Sequence, residues 1–160
     1  GAYEKERANA LLFLADNGVQ VTVWGNDWAA LVSPHPNLDI KKQFLFGTDY
    51  SKAICASKIN INFLRKINRD EVTSRSVEIP ACGGFLLTER TQRHMEFFDE
   101  DKEAVFFDDN EELLSKVKFY LEHDLERQKI AAGGRARGLE SGYSMRVQLE
   151  YILSSLNGRD

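Results

Sequence analysis

The sequence is poor in cysteine and proline and has no long apolar run, and each shortage excludes a class of protein. It contains 2 cysteines among 160 residues, too few for a disulfide scaffold or a four-cysteine zinc site. Cys55 and Cys82 lie in apolar stretches, and we expect both to be reduced packing residues of a cytoplasmic protein. No run reaches the roughly 20 apolar residues of a transmembrane helix, so we expect no membrane span.

Histidine and net positive charge are also scarce. The 3 histidines are widely spaced and predict no metal site, and we expect His94 to lie on the surface. The net charge of -4 offers no general attraction to nucleic acid, so a phosphate ligand requires a local site. The proportions of hydrophobic (42%) and charged (29%) residues are typical of a globular protein, and the length predicts one domain over residues 1–160.

Three common catalytic loops are absent as well. The sequence contains no Gly-x-Gly-x-x-Gly or Gly-x-x-x-x-Gly-Lys-Ser/Thr motif, which argues against NAD enzymes and P-loop ATPases. It contains no Gly-x-Ser-x-Gly motif, so a hydrolase triad is unsupported.

Apolar periodicity predicts helices that alternate with short strands, and hence a doubly wound parallel α/β sheet. The predicted strands cover residues 19–24, 44–46, 59–63, 85–88 and 104–107. The predicted helices lie before residue 17 and near residues 27–32, 49–57, 73–82, 93–98, 111–121, 124–139 and 144–156. Such a domain normally opens with a strand, whereas this sequence opens with a helix, so we expect a first strand to be absent and the last helices to be additions.

The segment 70–88 carries the strongest functional signal. It contains a loop acid, Asp70, then a helix beginning near Thr73 with a second acid, Glu78, and then a glycine pair and a buried strand. The free amides of Thr73, Ser74 and Arg75 can hold a diphosphate while a carboxylate accepts ribose hydroxyls. The alternative interpretation makes Thr73 a helix cap and Glu78 a solvated acid.

Cations near the same edge of the sheet are candidate partners of a diphosphate. Arg65 follows the strand 59–63, and Arg7 belongs to the first turn of the opening helix. A guanidinium suits bidentate contacts with oxyanions. The alternative for Arg7 is a surface ion pair with Glu4 or Glu6, and Arg75 either joins the site or faces solvent.

With these residues in view, the chain resembles the C-terminal nucleotide-sugar-binding half of GT-B glycosyltransferases, and within them the CgeB-like, spore-maturation group. The resemblance covers nearly the whole chain and implies a Rossmann-like fold. It rests on residues 1–7, 21–25, 62–66, 70–75, 78–90 and 104–107. Residues 70–90 are its specific part.

The resemblance implies roles for individual residues. Glu78 occupies the place of the acid that binds the donor ribose, and Asp70 occupies the place of the sugar-side catalytic acid. Thr73 and Ser74 match the positions whose amides hold the diphosphate, and Gly47 matches the region near the nucleobase.

Five further residues are given roles although they match the motifs of the family less directly. Arg75, Arg65 and Arg7 are candidates for binding the diphosphate. Glu89 and Arg90, in the loop after a central strand, are candidates for contact with the sugar or acceptor.

The resemblance also implies an activity and partners. The expected reaction is metal-independent transfer of a sugar, of the hexosyltransferase class, from a nucleotide-diphosphate sugar to an unidentified acceptor, with no cofactor. The N-terminal Rossmann domain is expected to be a separate partner, and the isolated chain is expected to be inactive. Alternatives are a non-catalytic nucleotide-binding module, half of a GT-B sugar-nucleotide epimerase and, with least support, a flavodoxin-like receiver.

Overall fold

Helices and short parallel strands alternate along most of the chain. The computed structural model describes residues 2–28 and 33–157. The strands are β1 (Val21–Trp24), β2 (Leu38–Lys41), β3 (Asn60–Asn62), β4 (Leu86–Glu89) and β5 (Val105–Phe107). The helices are α1 (Lys5–Asp16), α2 (Gly47–Ala56), α3 (Ser74–Ala81), α4 (Gln92–Phe97), α5 (Asn110–Glu122), α6 (Asp124–Glu140) and α7 (Met145–Asn157).

All the strand pairs are parallel. β1 pairs with β2 as a two-stranded sheet, and β3, β4 and β5 form a three-stranded sheet with β4 in the centre. From β2 onward a helix connects each strand to the next, as parallel pairing requires. The predicted α/β class with a parallel sheet is therefore confirmed.

The three-stranded sheet is covered on both faces because alternate residues of its strands point to opposite sides. Leu87 and Phe107 belong to a core cluster with residues of α1, α5 and α6. Leu86 and Phe106 belong to a second cluster, with Ile54 from α2 and residues near α3 and α4. This arrangement explains why the start of β4 and all of β5 are apolar in the sequence.

One predicted strand is wrong and another was missed. Residues 44–46 form no strand; Phe44 and Phe46 are 53% and 78% exposed. The chain pairs with β1 earlier, at β2, where buried Leu38 alternates with exposed Asp39. β2 is short and half of its residues are polar. Its sequence therefore predicts a strand less strongly than the phenylalanines at positions 44 and 46 do. Within the helix predicted over residues 27–32, residues 29–32 lie outside the described residues.

The last helix keeps an exposed apolar stripe. Met145, Leu149, Ile152 and Leu156 lie at helical spacing and are between 51% and 75% exposed, so this apolar stripe is not covered by the described residues. Among the described helices, none has both the length and the apolar character needed to cross a bilayer.

The prediction that both cysteines are packing residues is wrong for Cys55. Cys55 is exposed, Cys82 is half-buried, and both are free thiols. The Cys55 thiol donates to the carbonyl of Cys82 at 3.3 Å. The apolar residues next to Cys55 in the sequence do not indicate which side of α2 faces solvent.

Candidate functional site

The loop between β3 and α3 brings the predicted acid and the predicted helix terminus together. After β3 the chain makes a short 3₁₀ turn over Lys66–Asn68, and Arg69 takes a left-handed conformation with φ 55°. The Asp70 amide then donates to the carbonyl of Arg65 at 3.2 Å. This closed loop delivers Asp70 to the start of α3.

A buried polar network fixes that start. The Asn62 side-chain amide donates to the hydroxyls of Ser76 and Thr88, at 3.2 and 3.1 Å. Ser76 Oγ also accepts the Thr73 amide at 3.1 Å and lies 2.8 Å from Nε2 of His94. Asn62, Ser76, Thr88 and His94 are at most 2% exposed. Because buried polar groups are costly to leave unpaired, the network holds α3 in one position.

His94 belongs to this network, although the sequence predicted that it lies on the surface. The residue is 0% exposed. Its Nδ1 lies 2.8 Å from the carbonyl of Glu89. A carbonyl only accepts, so Nδ1 carries the proton and Nε2 accepts from the Ser76 hydroxyl. The surface prediction was wrong because the loop after β4 turns α4 inward.

The His94 network predicts an acid-sensitive fold. Burial lowers the pKa of His94 below its ordinary value, so the folded protein binds fewer protons there than the unfolded chain. Its contribution to stability is complete above about pH 6.5 and is lost as the pH falls below it, by up to about 1.4 kcal/mol per pH unit. Urea unfolding at pH 7 and pH 5 measures the loss.

The control for this measurement is His123, which is half-buried and lies outside the His94 network, with its Nδ1 2.7 Å from the carbonyl of Phe119. His123→Asn should leave the pH dependence as in the wild type, whereas His94→Asn should flatten it. Equal slopes for the two variants would show that His94 is not the group that titrates.

The predicted cations converge on one cavity. A cavity of about 560 Å³ is lined by Arg7, Arg65 and Arg75 together with Asp70 and Thr73. These residues come from α1, from the end of β3 and from the start of α3, so the fold brings together groups that are distant in sequence. Three guanidinium groups at a helix N-terminus form a strong site for an anion.

The three arginines are close enough to repel one another. Burial is the main cause that lowers the pKa of Arg7; the charges of Arg75 and Arg65 lower it further, and Glu4 opposes them. Arg65 Nε pairs with Glu4 at 2.7 Å, and Arg7 lies 3.8 Å from the same carboxylate. No ion pair engages Arg75 within the described ranges, so its charge is available to a ligand.

Arg7 is held by backbone carbonyls, a prerequisite for a fixed cationic site. It donates to the carbonyl of Ala2 at 2.6 Å and to that of Phe63 at 3.4 Å. Its Nε is buried and has no hydrogen-bond partner among the described residues. The predicted alternative, a surface pair with an acid of its own helix, accounts for only part of its contacts.

Glu78 is exposed, and its carboxylate is oriented by Tyr50, a residue that the sequence analysis missed. The Tyr50 hydroxyl donates to Oε2 of Glu78 at 3.0 Å. Burial and the Glu78 charge raise the pKa of Tyr50, so the phenol keeps its proton and remains a donor. Tyr50 lines the cavity, whereas Glu78 is not among the residues that line it, so the carboxylate is linked to the cavity through the Tyr50 hydroxyl.

The amide of Thr73 is not a free donor, which corrects one prediction. It donates to Ser76 Oγ at 3.1 Å because Thr73 caps α3 rather than opening it. The amides of Ser74 and Arg75, as the first two of the helix, have no intrahelical acceptor and remain available. The anion-binding terminus therefore begins one residue later than the sequence suggests.

Gly47 begins α2 with φ 51°, a left-handed conformation that glycine adopts without strain. Phe44 and Leu45, just before it, line the cavity. The exposed rings of Phe44 and Phe46 lie 6.2 Å apart. The segment before Gly47 thus presents aromatic surface next to the cationic site.

Arg90 forms ion pairs with acidic residues of the same domain. It contacts both carboxylate oxygens of Glu100 and donates to Asp108 at 3.0 Å, and Glu112 lies 3.4 Å away. Lys116 completes the cluster, 2.7 Å from Glu112. The observed contacts of Arg90 are therefore structural, and its contact with a sugar or acceptor stays a prediction.

The Glu89 side chain links the end of β4 to the segment that follows β3. Its Oε2 accepts the amide of Leu64 at 2.6 Å, and the residue is half-buried. It lines a second cavity of about 340 Å³ that it shares with Arg7. In the described ranges, no three His, Cys, Asp or Glu side chains are grouped so that they could hold a metal ion.

Comparison with known proteins identifies the family and the fold of this chain. Residues 7–154 match the model of the family described as "Glycosyl transferase-like". Among curated proteins none matches the sequence. A glycosyltransferase from Rickettsia africae ESF-5 has a similar structure, with a TM-score of 0.72 and 12% sequence identity. The similarity covers 99% of this chain and 46% of that one, so the chain spans about half the length of that protein and shares its Rossmann-like fold.

Proposed function

We propose, because this chain belongs to the glycosyl transferase-like family, that it is the half of a glycosyltransferase that binds a nucleoside-diphosphate sugar. The observation that carries the proposal is the convergence of Arg7, Arg65 and Arg75 on one cavity at the N-terminus of α3. A diphosphate offers the charge and planar oxyanion groups that such a cluster binds best.

The diphosphate is proposed to lie against the first turn of α3. The free amides of Ser74 and Arg75 donate to its oxygens, and the helix dipole favours its charge. The Arg75 side chain, which has no ion pair among the described residues, closes over it. Thr73 acts indirectly, through the network that holds the helix.

The nucleoside is proposed to extend from the diphosphate toward α2. Glu78, held by Tyr50 at 3.0 Å, accepts the ribose hydroxyls through charge-assisted hydrogen bonds. The base then lies near Gly47, where Phe44 offers an aromatic face for stacking.

Asp70 is proposed to contact the sugar. It lines the cavity directly, whereas Glu78 is linked to the cavity through Tyr50. In the transfer step the bond between the sugar and the diphosphate breaks, and negative charge grows on the departing diphosphate. The guanidinium groups and helix amides stabilise that charge, so we propose that the reaction needs no divalent cation.

The acceptor site is proposed to lie on a second, N-terminal Rossmann domain that faces the cavity. This chain spans 46% of the structurally similar glycosyltransferase, which leaves room for a domain of comparable size. We assign the protein to the CgeB-like group on the basis of residues 70–90, and its free thiols fit the cytoplasm. The class of sugar proposed is a hexose, and the isolated chain is proposed to bind donor without transferring it.

The proposal is tested by calorimetric titration of the chain with UDP, GDP and their sugars. At least one nucleoside diphosphate should bind, and the same nucleoside without phosphates should bind far more weakly. Equal affinity for nucleoside and nucleoside diphosphate would overturn the assignment of the arginine cluster. Transfer after addition of an N-terminal domain would distinguish an enzyme from a non-catalytic binding module.

The ribose assignment makes its own prediction. Glu78→Gln should weaken binding of the nucleoside diphosphate about tenfold, because a charge-assisted hydrogen bond is roughly twice as strong as a neutral one. Titration of both proteins under identical conditions measures the change. Glu71→Gln, an exposed acid of the preceding loop, is the control and should bind as the wild type does. An unchanged Glu78→Gln variant would remove Glu78 from the site.

A further inference from the structure

The 2 cysteines of the sequence meet where α2 packs on the end of α3. Cys55 lies in the last turn of α2, and Cys82 is the residue that follows α3. The Cys55 thiol donates to the carbonyl of Cys82 at 3.3 Å, and the Cys82 thiol donates to Oγ of Ser51 at 3.7 Å. Ser51 lies one helical turn before Cys55, on the same face of α2. Each thiol therefore contacts the element that carries the other.

The backbone beside Cys82 is seated closely on α2. A methyl group at Gly84 would lie 2.5 Å from Cγ2 of Ile54, the residue before Cys55. Ile54 is buried and shares a core cluster with Ile79 of α3. Such an approach is needed for a cross-link, because a disulfide joins residues whose Cα atoms are only about 4.4–6.8 Å apart. Folding thus brings together two thiols that are distant in the sequence.

The two thiols differ in their access to solvent. Cys55 is exposed and Cys82 is half-buried. A soluble oxidant reacts with an accessible thiolate, so it meets Cys55 first. Redox-sensing cysteines are typically accessible and have a second, resolving cysteine beside them. Cys55 fits the first of these roles and Cys82 fits the second.

The thiols lie next to the hydrogen-bonded pair of Tyr50 and Glu78. The amide of Cys82 donates to the carbonyl of Glu78 at 3.0 Å, which places the two residues one turn apart. Burial raises the pKa of Tyr50, the Glu78 charge raises it further, and Cys82 contributes in the same direction. The contact between Tyr50 and Glu78 and the contact between the cysteines therefore link the same two helices.

We propose that Cys55 and Cys82 are a modification site, a dithiol that a low-molecular-weight disulfide such as glutathione disulfide converts reversibly to a disulfide between α2 and α3. The Cys55 thiolate attacks one sulfur of glutathione disulfide, whose S–S bond breaks and releases one glutathione. The Cys82 thiolate then attacks Cys55 Sγ in the mixed disulfide and releases the second glutathione. The protein loses two electrons and two protons, and the glutathione disulfide gains them as two thiols.

The disulfide has two consequences. It closes a loop over residues 56–81, which include Asp70 and all of α3, and such a closure stabilises a fold by restricting the unfolded chain. It also holds α2 against α3, so the Glu78 carboxylate stays beside the Tyr50 hydroxyl. The effect on ligand affinity rests on the proposed function: a carboxylate that is fixed in advance should bind the nucleoside diphosphate about threefold more tightly.

The experiment treats the chain with glutathione disulfide or with reduced glutathione and then alkylates the free thiols. Peptide mass spectrometry should find Cys55 joined to Cys82 in the first sample and both cysteines alkylated in the second. Thermal unfolding followed by circular dichroism should show a melting temperature roughly 5–10 °C higher for the oxidised chain. Dithiothreitol should reverse the increase. Titration with UDP and GDP compares the affinities of the two forms.

Two variants provide matched controls. Cys82→Ser should stop at a mixed disulfide between Cys55 and glutathione, with no increase in melting temperature. Cys55→Ser should react with glutathione disulfide at least about tenfold more slowly than the wild type, because its remaining thiol is shielded.

The proposal would be overturned by a wild-type chain that keeps glutathione on Cys55 while Cys82 stays alkylatable, or by a disulfide that forms only between two chains. A Cys55→Ser variant that reacts as fast as the wild type would also contradict it. The mass and melting measurements need no nucleotide, so they are independent of the proposed function. Absence of nucleotide binding in both forms would contradict that function, whereas equal affinity in the two forms would contradict only the coupling to Glu78.

Discussion

Arg75→Met is expected to weaken binding of a nucleoside diphosphate about 30-fold, a loss of about 2 kcal/mol. Arg75 lines the cavity at the first turn of α3 and has no ion pair within the described ranges. Its charge is therefore free for the ligand, and its removal costs the fold little. Because the residue is exposed, salt should shrink the effect, and at about 1 M salt the difference should largely vanish. Calorimetric titration at two salt concentrations measures both quantities.

Arg146→Met is the matched control for this change. Arg146 is also exposed, but it pairs with Glu150 on α7 at 2.8 Å, and it does not line the cavity. Both variants lose one positive charge, so a general electrostatic effect would weaken binding equally in the two. Equal affinities for all three proteins would mean that the arginine cluster does not hold the diphosphate.

Gly134→Ala is expected to lower the free energy of unfolding by about 3 kcal/mol, the upper range for an overpacked site. A methyl group at this position of α6 would lie 2.3 Å from the carbonyl oxygen of Glu103 and 3.4 Å from Pro80. Because the Glu103 carbonyl belongs to the backbone and cannot move aside, α6 must shift. Urea denaturation followed by circular dichroism measures the loss.

Gly138→Ala on the same helix provides the comparison. A methyl group there meets nothing within 4 Å, and alanine favours a helix over glycine by up to about 1 kcal/mol. This variant should be as stable as the wild type or more so. If Gly134→Ala unfolded at the same urea concentration as Gly138→Ala, α6 would not be seated against the turn at residues 102–103.

The Gly134 contact also matters for the site. Pro80 lies in α3, the helix that carries Glu78 and the turn proposed to bind the diphosphate. A displaced α6 removes the support behind this helix, so nucleotide affinity should fall together with stability. The buried network of Asn62, Ser76 and His94 supports the same helix from the side of the sheet.

Most elements of the fold could be predicted from the sequence because they depend on local patterns. The runs at residues 85–87 and 104–107 are continuously apolar, and both lead into or form strands whose side chains face two cores. The stop at Asn17 and Gly18 ends α1 where expected. β2 was missed because one buried leucine and one half-buried isoleucine are a weak signal next to two nearby phenylalanines.

The candidate site could be predicted only in part. The order of Asp70, Thr73 and Glu78 along one loop and one short helix was visible in the sequence. Three interactions were not visible in the sequence. They are the hydrogen bond from the Thr73 amide to Ser76, the hydrogen bond from the Tyr50 hydroxyl to Glu78, and the ion pairs of Arg90 with three acidic residues. Each of them depends on a residue at least three positions away or on another element.

The sequence by itself determined the class of fold and the helix that carries the second acid, because periodicity and turn residues act over a few neighbouring positions. The tertiary structure alone decided that Arg7 from α1 lines one cavity with Arg65 and Arg75, that His94 is buried, and that residues of β1 and β3 line the same cavity. Distances between residues far apart in the chain follow from how helices pack on a sheet, and no local pattern encodes them.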